Sequence, residues 1–222
     1  MTISPATPKL LTLLRAPEGD LGRWVDAVAA RLGSGVPGAS RIVLNTVRPV
    51  EVREGSVDAG WNVIVEGWFD TRADAEAARP AFAQDAAASA SLIVDEILVH
   101  DGHVPVLGAK IIVAFRRKAC VSRAQAQAHW RGRHVEVGLI EHKATDFLQL
   151  YFQNHVVLDN PVEQSEHDYD GLPEYWLDGD ALANVAADAP VMKAIAQDEE
   201  NFLDRTSLVT MLVEERPVFL RG

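Results

Sequence analysis

The stretch Glu66-Gly67-Trp68-Phe69-Asp70 returns 108 residues later as Glu174-Tyr175-Trp176-Leu177-Asp178, with Glu, Trp and Asp kept at alternate positions. A coincidence of three residues carries little weight alone, but the elements around the two copies follow in the same order, which is the mark of a tandem repeat. Upstream of the first copy, Lys9 to Arg15 reads as a short buried strand. Leu21, Trp24, Val25, Val28, Ala29 and Leu32 then form the stripe of an amphipathic helix, with Asp20 as N-cap and Gly33 and Gly35 as its stop. Arg41 to Val47 and Trp61 to Phe69 read as strands, the second with Val63, Val65 and Phe69 on one face and Asn62, Ile64, Glu66 and Trp68 on the other. Thr71 can cap an Ala-rich helix, and Ser91 to Val99 closes the set as a strand. The order is βαββαβ, a ferredoxin-like unit.

Around the second copy the order recurs. Lys110 to Arg116 is the first strand, and Ser122 with Gln125 is a capping-box signature for a helix carrying His129, Trp130 and His134. Phe147 to Val157 and Leu172 to Leu177 are strands, Asp178 or Asp180 opens a helix that Pro190 divides before Met192 to Phe202, and Ser207 to Glu214 is the last strand. The fold class expected is α+β: two tandem ferredoxin-like units, 1–104 and 105–222, joined through the Gly- and Pro-containing residues 101–108. A four-stranded sheet with both helices on one face leaves the other face bare, so two such sheets are expected to pack face to face, within one chain as a pseudo-dimer or between chains as a homodimer.

The chain has 222 residues, 48% of them apolar, enough to bury a core, and a net charge of -11. That charge argues against nucleic acid as a partner, because phosphate backbones are bound by clustered Lys and Arg. A single cysteine, Cys120, fits a reducing compartment, and neither a secretory signal nor a membrane-spanning run is legible, so the expectation is a cytoplasmic protein with no membrane partner. No His-Glu-x-x-His, paired Cys, Walker loop or Gly-x-Ser-x-Gly occurs.

The two halves differ in where chemistry-bearing residues sit. The second carries Ala128-His-Trp-Arg-Gly-Arg-His134 and Tyr151-Phe-Gln-Asn-His155, which hold three of the seven histidines; the first has no counterpart. With Tyr169-Asp170-Gly171 and Phe202-Leu-Asp-Arg205, these motifs resemble the EthD family of the dimeric α+β barrel superfamily, over about residues 109–219. The resemblance implies ferredoxin-like units paired into a barrel, use of neither metal nor organic cofactor, and pockets between sheet and helices. Relatives of that kind include polyketide cyclases, dehydratases or decarboxylases, lactone isomerases and monooxygenases, so it fixes fold better than reaction. One departure is local: Val135-Glu136 stands where the family has Gly-Pro, which bears on how the helix exits and how His134 is aimed.

His134 follows Trp130 by four residues, so on a helix the two share a face and can line a pocket. It reads as a general base or acid, or as a helix-end histidine bonded to a carbonyl. His129, five residues earlier, is turned about 140° away on a regular helix and reads as structural. On the strand 147–157, Gln149, Tyr151, Gln153 and His155 alternate with Leu148, Leu150, Phe152 and Asn154. The apolar set is expected to cover the helices, which places Asn154 in a helix-side pocket to polarise a carbonyl and His155 in the barrel or at its rim; a bulge would exchange them. Asp170 reads as a turn residue or as an orienter of imidazole. Trp130, Tyr151, Tyr169 and Trp176 are candidate substrate-binding residues, each with packing in the core as its alternative. The expected activity is acid/base chemistry with His134, Asn154 and His155 acting on a small aromatic, polyketide-like or lactone metabolite: dehydration, decarboxylation, cyclisation or isomerisation. A monooxygenase of a phenolic substrate and a binding protein without turnover are the alternatives.

Overall fold

The computed structural model describes residues 7–49, 60–159, 167–179 and 189–222. The first half runs β1 (Lys9–Arg15), α1 (Leu21–Gly33), β2 (Ala39–Val47), β3 (Val63–Phe69), α2 (Arg72–Ala83) and β4 (Ala88–Asp101). The second runs β5 (Ala109–Arg117), α3 (Arg123–His129), β6 (Leu148–Val156), β7 (Gly171–Leu177), α4 (Pro190–Glu199) and β8 (Leu203–Leu220). The caps read from sequence are in place: Asp20 accepts from the Arg23 amide, Thr71 from the Asp74 amide, and Ser122 and Gln125 form a reciprocal capping box. Pro190 opens the described helix α4, and whatever precedes it lies outside the described residues. It occupies the first turn of α4, where its missing N–H costs nothing. The helix expected to open at Asp178 or Asp180 falls on 180–188, outside the described residues.

All strand pairs are antiparallel, and the order β1-β3-β2-β8-β5-β7-β6-β4 closes on itself through β4 and β1. Each half contributes the same four-strand order, β4-β1-β3-β2 and β8-β5-β7-β6, and the seams are β2 with β8 and β4 with β6. The pairing of two ferredoxin-like sheets is thus completed within one chain. Closure leaves no unpaired sheet edge, the feature by which open sheets recruit further strands.

Alternation along the strands sorts the core into three layers. Leu11, Leu13, Ile64, Leu92, Ile112, Leu172, Val209 and Met211 point into the barrel. On the outside of the first half, Leu10, Val25, Val28, Leu32, Phe69 and Phe82 fill the space beneath α1 and α2; on the outside of the second, Ile111, Val113, Phe115, Trp130, Phe202 and Leu208 lie beneath α3 and α4.

The repeated Glu and Trp turn inward. Lys9 on β1 and Lys110 on β5 each contact both glutamates, Lys9 at 2.7 Å from Glu66 and 2.6 Å from Glu174, Lys110 at 2.7 and 3.1 Å. Each ammonium lies 4.6 Å from a tryptophan ring, Lys9 over Trp68 and Lys110 over Trp176. Asn45 donates to Glu66 at 2.8 Å and Asn154 to Glu174 at 2.6 Å. Two ion pairs cross between halves, so the network ties the two sheets in one register; removing one partner would leave a buried charge uncompensated. Burial, and then the Glu66 carboxylate, push Glu174 up to about 7. Burial pushes Glu66 the same way, but Lys110 and Lys9 outweigh it and hold its carboxyl well below the usual range.

Candidate functional site

Beneath α3 and α4 the outer face of the second sheet is not filled. A cavity of about 320 Å³ lies there, walled by Ile111, Val113 and Phe115 of β5, Tyr151 of β6, Tyr175 of β7, Leu208 and Thr210 of β8, and by Trp130, His134, Ile195 and Glu199 from the helices. Its volume is at the small end of the ~300–1,000 Å³ typical of small-molecule pockets, and its apolar walls carry a few polar groups.

The helix that roofs it changes pitch. After the capped turns of α3 the backbone continues as π-helical turns over Trp130–His134 and Glu136–Glu141. With Val135-Glu136 in place of a proline, the amides needed to prolong the helix are present, and both Val135 and His134 reach the cavity wall. In a π turn the bonded residues are five apart rather than four, which brings positions i and i+5 onto one face. The 140° separation expected of His129 and His134 is therefore removed. His134 Nδ1 is 2.8 Å from Asp198 Oδ2, and His129 Nε2 is 3.0 Å from Asp198 Oδ1. Phe202 packs against both rings, at 5.0 Å from His129 and 5.2 Å from His134.

Asp198 is buried near the C-terminus of α4. Burial pushes its carboxyl up, but the hydrogen bonds to His134 and His129 outweigh that and hold it below the usual range. A carboxylate accepting from Nδ1 fixes the His134 ring and tautomer, leaving Nε2 with its lone pair available. Among the described residues Nε2 has no hydrogen-bond partner.

A second polar group faces the cavity from the sheet. The Tyr151 hydroxyl accepts from Trp130 Nε1 at 3.1 Å and from Gln153 Nε2 at 2.9 Å, and it is also hydrogen-bonded to Tyr175, whose ring stacks on it at 4.8 Å. Burial pushes Tyr151 up to about 12, so it stays a neutral phenol. His155 lies beneath the roof as well, 4.4 Å from the Trp130 ring and 2.9 Å from Gln153 Oε1; burial, and then Arg131, push it down to about 4, so it is neutral near pH 7.

These placements reverse the face assignment expected for the strand 147–157. Tyr151, Gln153 and His155 face the helices, and Asn154 points into the barrel, where it bonds Glu174 and the Leu172 carbonyl. The register shift between Leu148 and Leu150 is a bulge that puts Leu148 and Tyr151 on the cavity side together. The polar side chains go outward because the roof offers them partners: the Trp130 indole and carbonyl for Tyr151 and Gln153. Trp176 is likewise inside the barrel, over Lys110, and Tyr169 is in the barrel core, accepting from Trp61 Nε1 at 3.1 Å. The cavity thus brings together Trp130, His134 and Tyr151 and leaves out Asn154, His155, Tyr169 and Trp176. Asp170 orients no imidazole: it binds Arg117 Nη1 and Arg123 Nε, each at 2.7 Å, and so pins the start of α3 to β5.

Three site groups escaped the sequence reading. Asp198 and Glu199 sit in a helix where acidic residues read as solvent-facing, and Tyr175 sits inside the repeated motif at a position the two copies do not share, Gly67 in the first. Gly171 is a fourth clue of a different kind. A Cβ there would fall 2.5 Å from Phe115 and 2.6 Å from Trp130, so the glycine of Tyr-Asp-Gly lets the roof tryptophan close down on β7.

Residues 118–206 match the family model of the EthD domain. No curated protein matches the chain. Among solved structures, an anthrone oxidase-like protein superposes with a TM-score of 0.61 at 9% identity, covering 97% of this chain and 94% of its own. A protein of Fusobacterium nucleatum described as a candidate monooxygenase gives 0.54 at 10% identity, covering 96% and 94%. A chlorite dismutase from Candidatus Nitrospira defluvii gives 0.53 at 8% identity, covering 96% and 93%. At such identities the likeness is one of fold, and it spans both halves. The chain is an α+β barrel closed within one polypeptide, and its residues 118–206 are similar to the EthD domain.

Proposed function

We propose that the protein is a small-molecule enzyme in which His134, oriented by Asp198, moves a proton on a ligand held in the cavity of the second half. The observation that carries this reading is the 2.8 Å contact of His134 Nδ1 with a buried carboxylate at the wall of an apolar cavity. An imidazole so held takes a proton through Nε2, and the adjacent carboxylate stabilises the imidazolium that forms. Across the same cavity the Tyr151–Tyr175 hydroxyl pair is the polar surface that would face the oxygen on which charge builds up. His155 is a positioning residue in this scheme, holding Gln153 and the Trp130 ring in place. Asn154, inside the barrel, is part of the charge network. The reaction class that fits is proton transfer leading to dehydration, decarboxylation, cyclisation or isomerisation of an enolisable metabolite.

A second reading shares the first step. If the proton comes from a phenol or a related carbon acid and the anion reacts with O₂, the outcome is an oxygenation, the reaction class named for several neighbours of the same fold. Both readings are tested by following hydrogen–deuterium exchange into neutral aromatic ketones and hydroxyaromatics in D₂O, with dissolved oxygen monitored. The native protein is expected to catalyse exchange, and His134→Ala to lose it by about 10²–10⁴-fold. Unchanged exchange in His134→Ala would remove His134 from the mechanism, and stoichiometric oxygen uptake would favour the second reading.

A further inference from the structure

The repeat leaves one hydroxyl without its partner. Lys9 and Lys110 stand at equivalent places in the two halves, opposite Trp68 and Trp176, so Thr12 corresponds to Val113. Their neighbours on the closing strands correspond as well: Thr12 faces Ser91 of β4, and Val113 faces Thr210 of β8. In the first half the two side chains hydrogen-bond each other, Thr12 Oγ1 with Ser91 Oγ at 3.0 Å. In the second, valine stands in the partner's place, and Thr210 Oγ1 is buried with no hydrogen bond among the described residues. This hydroxyl belongs to the cavity wall. It interrupts an outward apolar stripe of β8, between Leu208 and Leu212, where valine would have the same shape without a polar atom to desolvate. The tyrosine hydroxyls of the wall bond each other on the far side of β5. Because β5 lies between β8 and β7, the backbone at Thr210 is two strand spacings, about 10 Å, from that at Tyr175, and Ile111 and Val113 cover the floor in between.

We infer that Thr210 is a ligand-binding residue of the cavity: its hydroxyl pairs with a hydroxyl or carbonyl oxygen at the end of the ligand that lies over β8, and so selects ring compounds oxygenated at two remote positions over those oxygenated at one. The apolar floor between the two polar places fits the hydrocarbon body of such a ligand. A buried hydroxyl left unpaired is costly, and a ligand oxygen that reaches it removes that cost on binding, whereas a hydrocarbon edge at the same place does not. This rests on reading the cavity as the ligand site, but it requires nothing of His134.

The test sets ligands with one and two hydroxyls against the native protein and variants of Thr210, with affinity read by titration calorimetry. The probes are 2-naphthol against 2,6-dihydroxynaphthalene, and 2-hydroxyanthracene against 2,6-dihydroxyanthracene. In at least one pair the diol is expected to bind about fivefold tighter or more. Thr210→Val should reduce that gain to about twofold, the statistical advantage of a symmetric diol, and Thr210→Ser should keep it. His134→Ala should keep it too, which separates this inference from the catalytic proposal. Thermal melting supplies a readout without ligand: Thr210→Val should leave the melting temperature unchanged or raised, whereas Thr12→Val, which strips Ser91 of its partner, should lower it. A diol no more than about twofold tighter than its partner in the native protein would mean that water already satisfies the hydroxyl, and would overturn the inference. So would binding of no probe, a gain undiminished in Thr210→Val, or a fall in melting temperature in Thr210→Val as large as that in Thr12→Val.

Discussion

The two copies of the motif differ on one side only. In Glu66-Gly67-Trp68-Phe69 and Glu174-Tyr175-Trp176-Leu177 the inward residues are the same, because both copies serve one charge network at the centre of the barrel. The outward residues diverge. Gly67 leaves room for Phe82 of α2 to lie on the strand, whereas Tyr175 stands up from the equivalent place and walls a cavity. The same sheet is sealed by its helices in one half and left hollow in the other. A duplicated fold can therefore keep the face that holds it together while the opposite face changes.

That comparison can be broken by filling or emptying each side. Phe82→Ala removes a fully buried ring from the sealed half and should cost about 3–5 kcal/mol of unfolding free energy, measured by denaturant titration. Ile195→Ala, at the wall of an existing cavity, should cost clearly less. Equal losses would mean that the second half is packed as tightly as the first.

The next effect is acid sensitivity. His155 is held neutral with its pKa down at about 4, against 6.5 for the free side chain, so below pH 6.5 the unfolded chain binds a proton that the folded one does not. The stability conferred by its neutral burial is fully present above about pH 6.5, falls as the pH drops, and is lost by about pH 4, a loss on the order of 3 kcal/mol. Asp198 and Glu174 also titrate abnormally, so the reading is the difference between native protein and His155→Phe. The variant should lack this part of the acid slope; parallel stability curves from pH 7 to 4 would contradict it.

The smallest effect tests the motif itself. A Cβ at Gly67 would sit 2.6 Å from Phe82 Cζ and 2.8 Å from Phe69 Cε2, so Gly67→Ala should destabilise by about 1–3 kcal/mol. Tyr175→Phe, which changes only a hydroxyl at the cavity wall, should leave the melting temperature within a few degrees and alter ligand affinity instead.

Much of the fold was legible because it is written in local signals. The capping residues Asp20, Thr71 and Ser122, the amphipathic stripe of α1 and the repeat of Glu and Trp all lie within a few residues of what they specify. The site was less so. His134, Trp130 and Tyr151 could be singled out as residue types, but their partner Asp198 is 64 positions from His134, and no local pattern links them. The π-helical pitch that aligns His129 with His134 leaves no sequence signature, because it depends on the packing of the roof against α4. The face of β6 was misassigned for a related reason: apolar alternation says which side chains avoid water, and here both faces are buried, so the partners on each side decide.

A change of helical pitch sets His134 on Asp198 at the cavity wall, and nitrogen NMR of the imidazole rings tests this without any substrate. His134 is expected as the Nδ1–H tautomer, with a downfield proton that is lost in Asp198→Asn. A His134 that carries its proton on Nε2 in the native protein, or whose spectrum is unchanged by Asp198→Asn, would contradict the account.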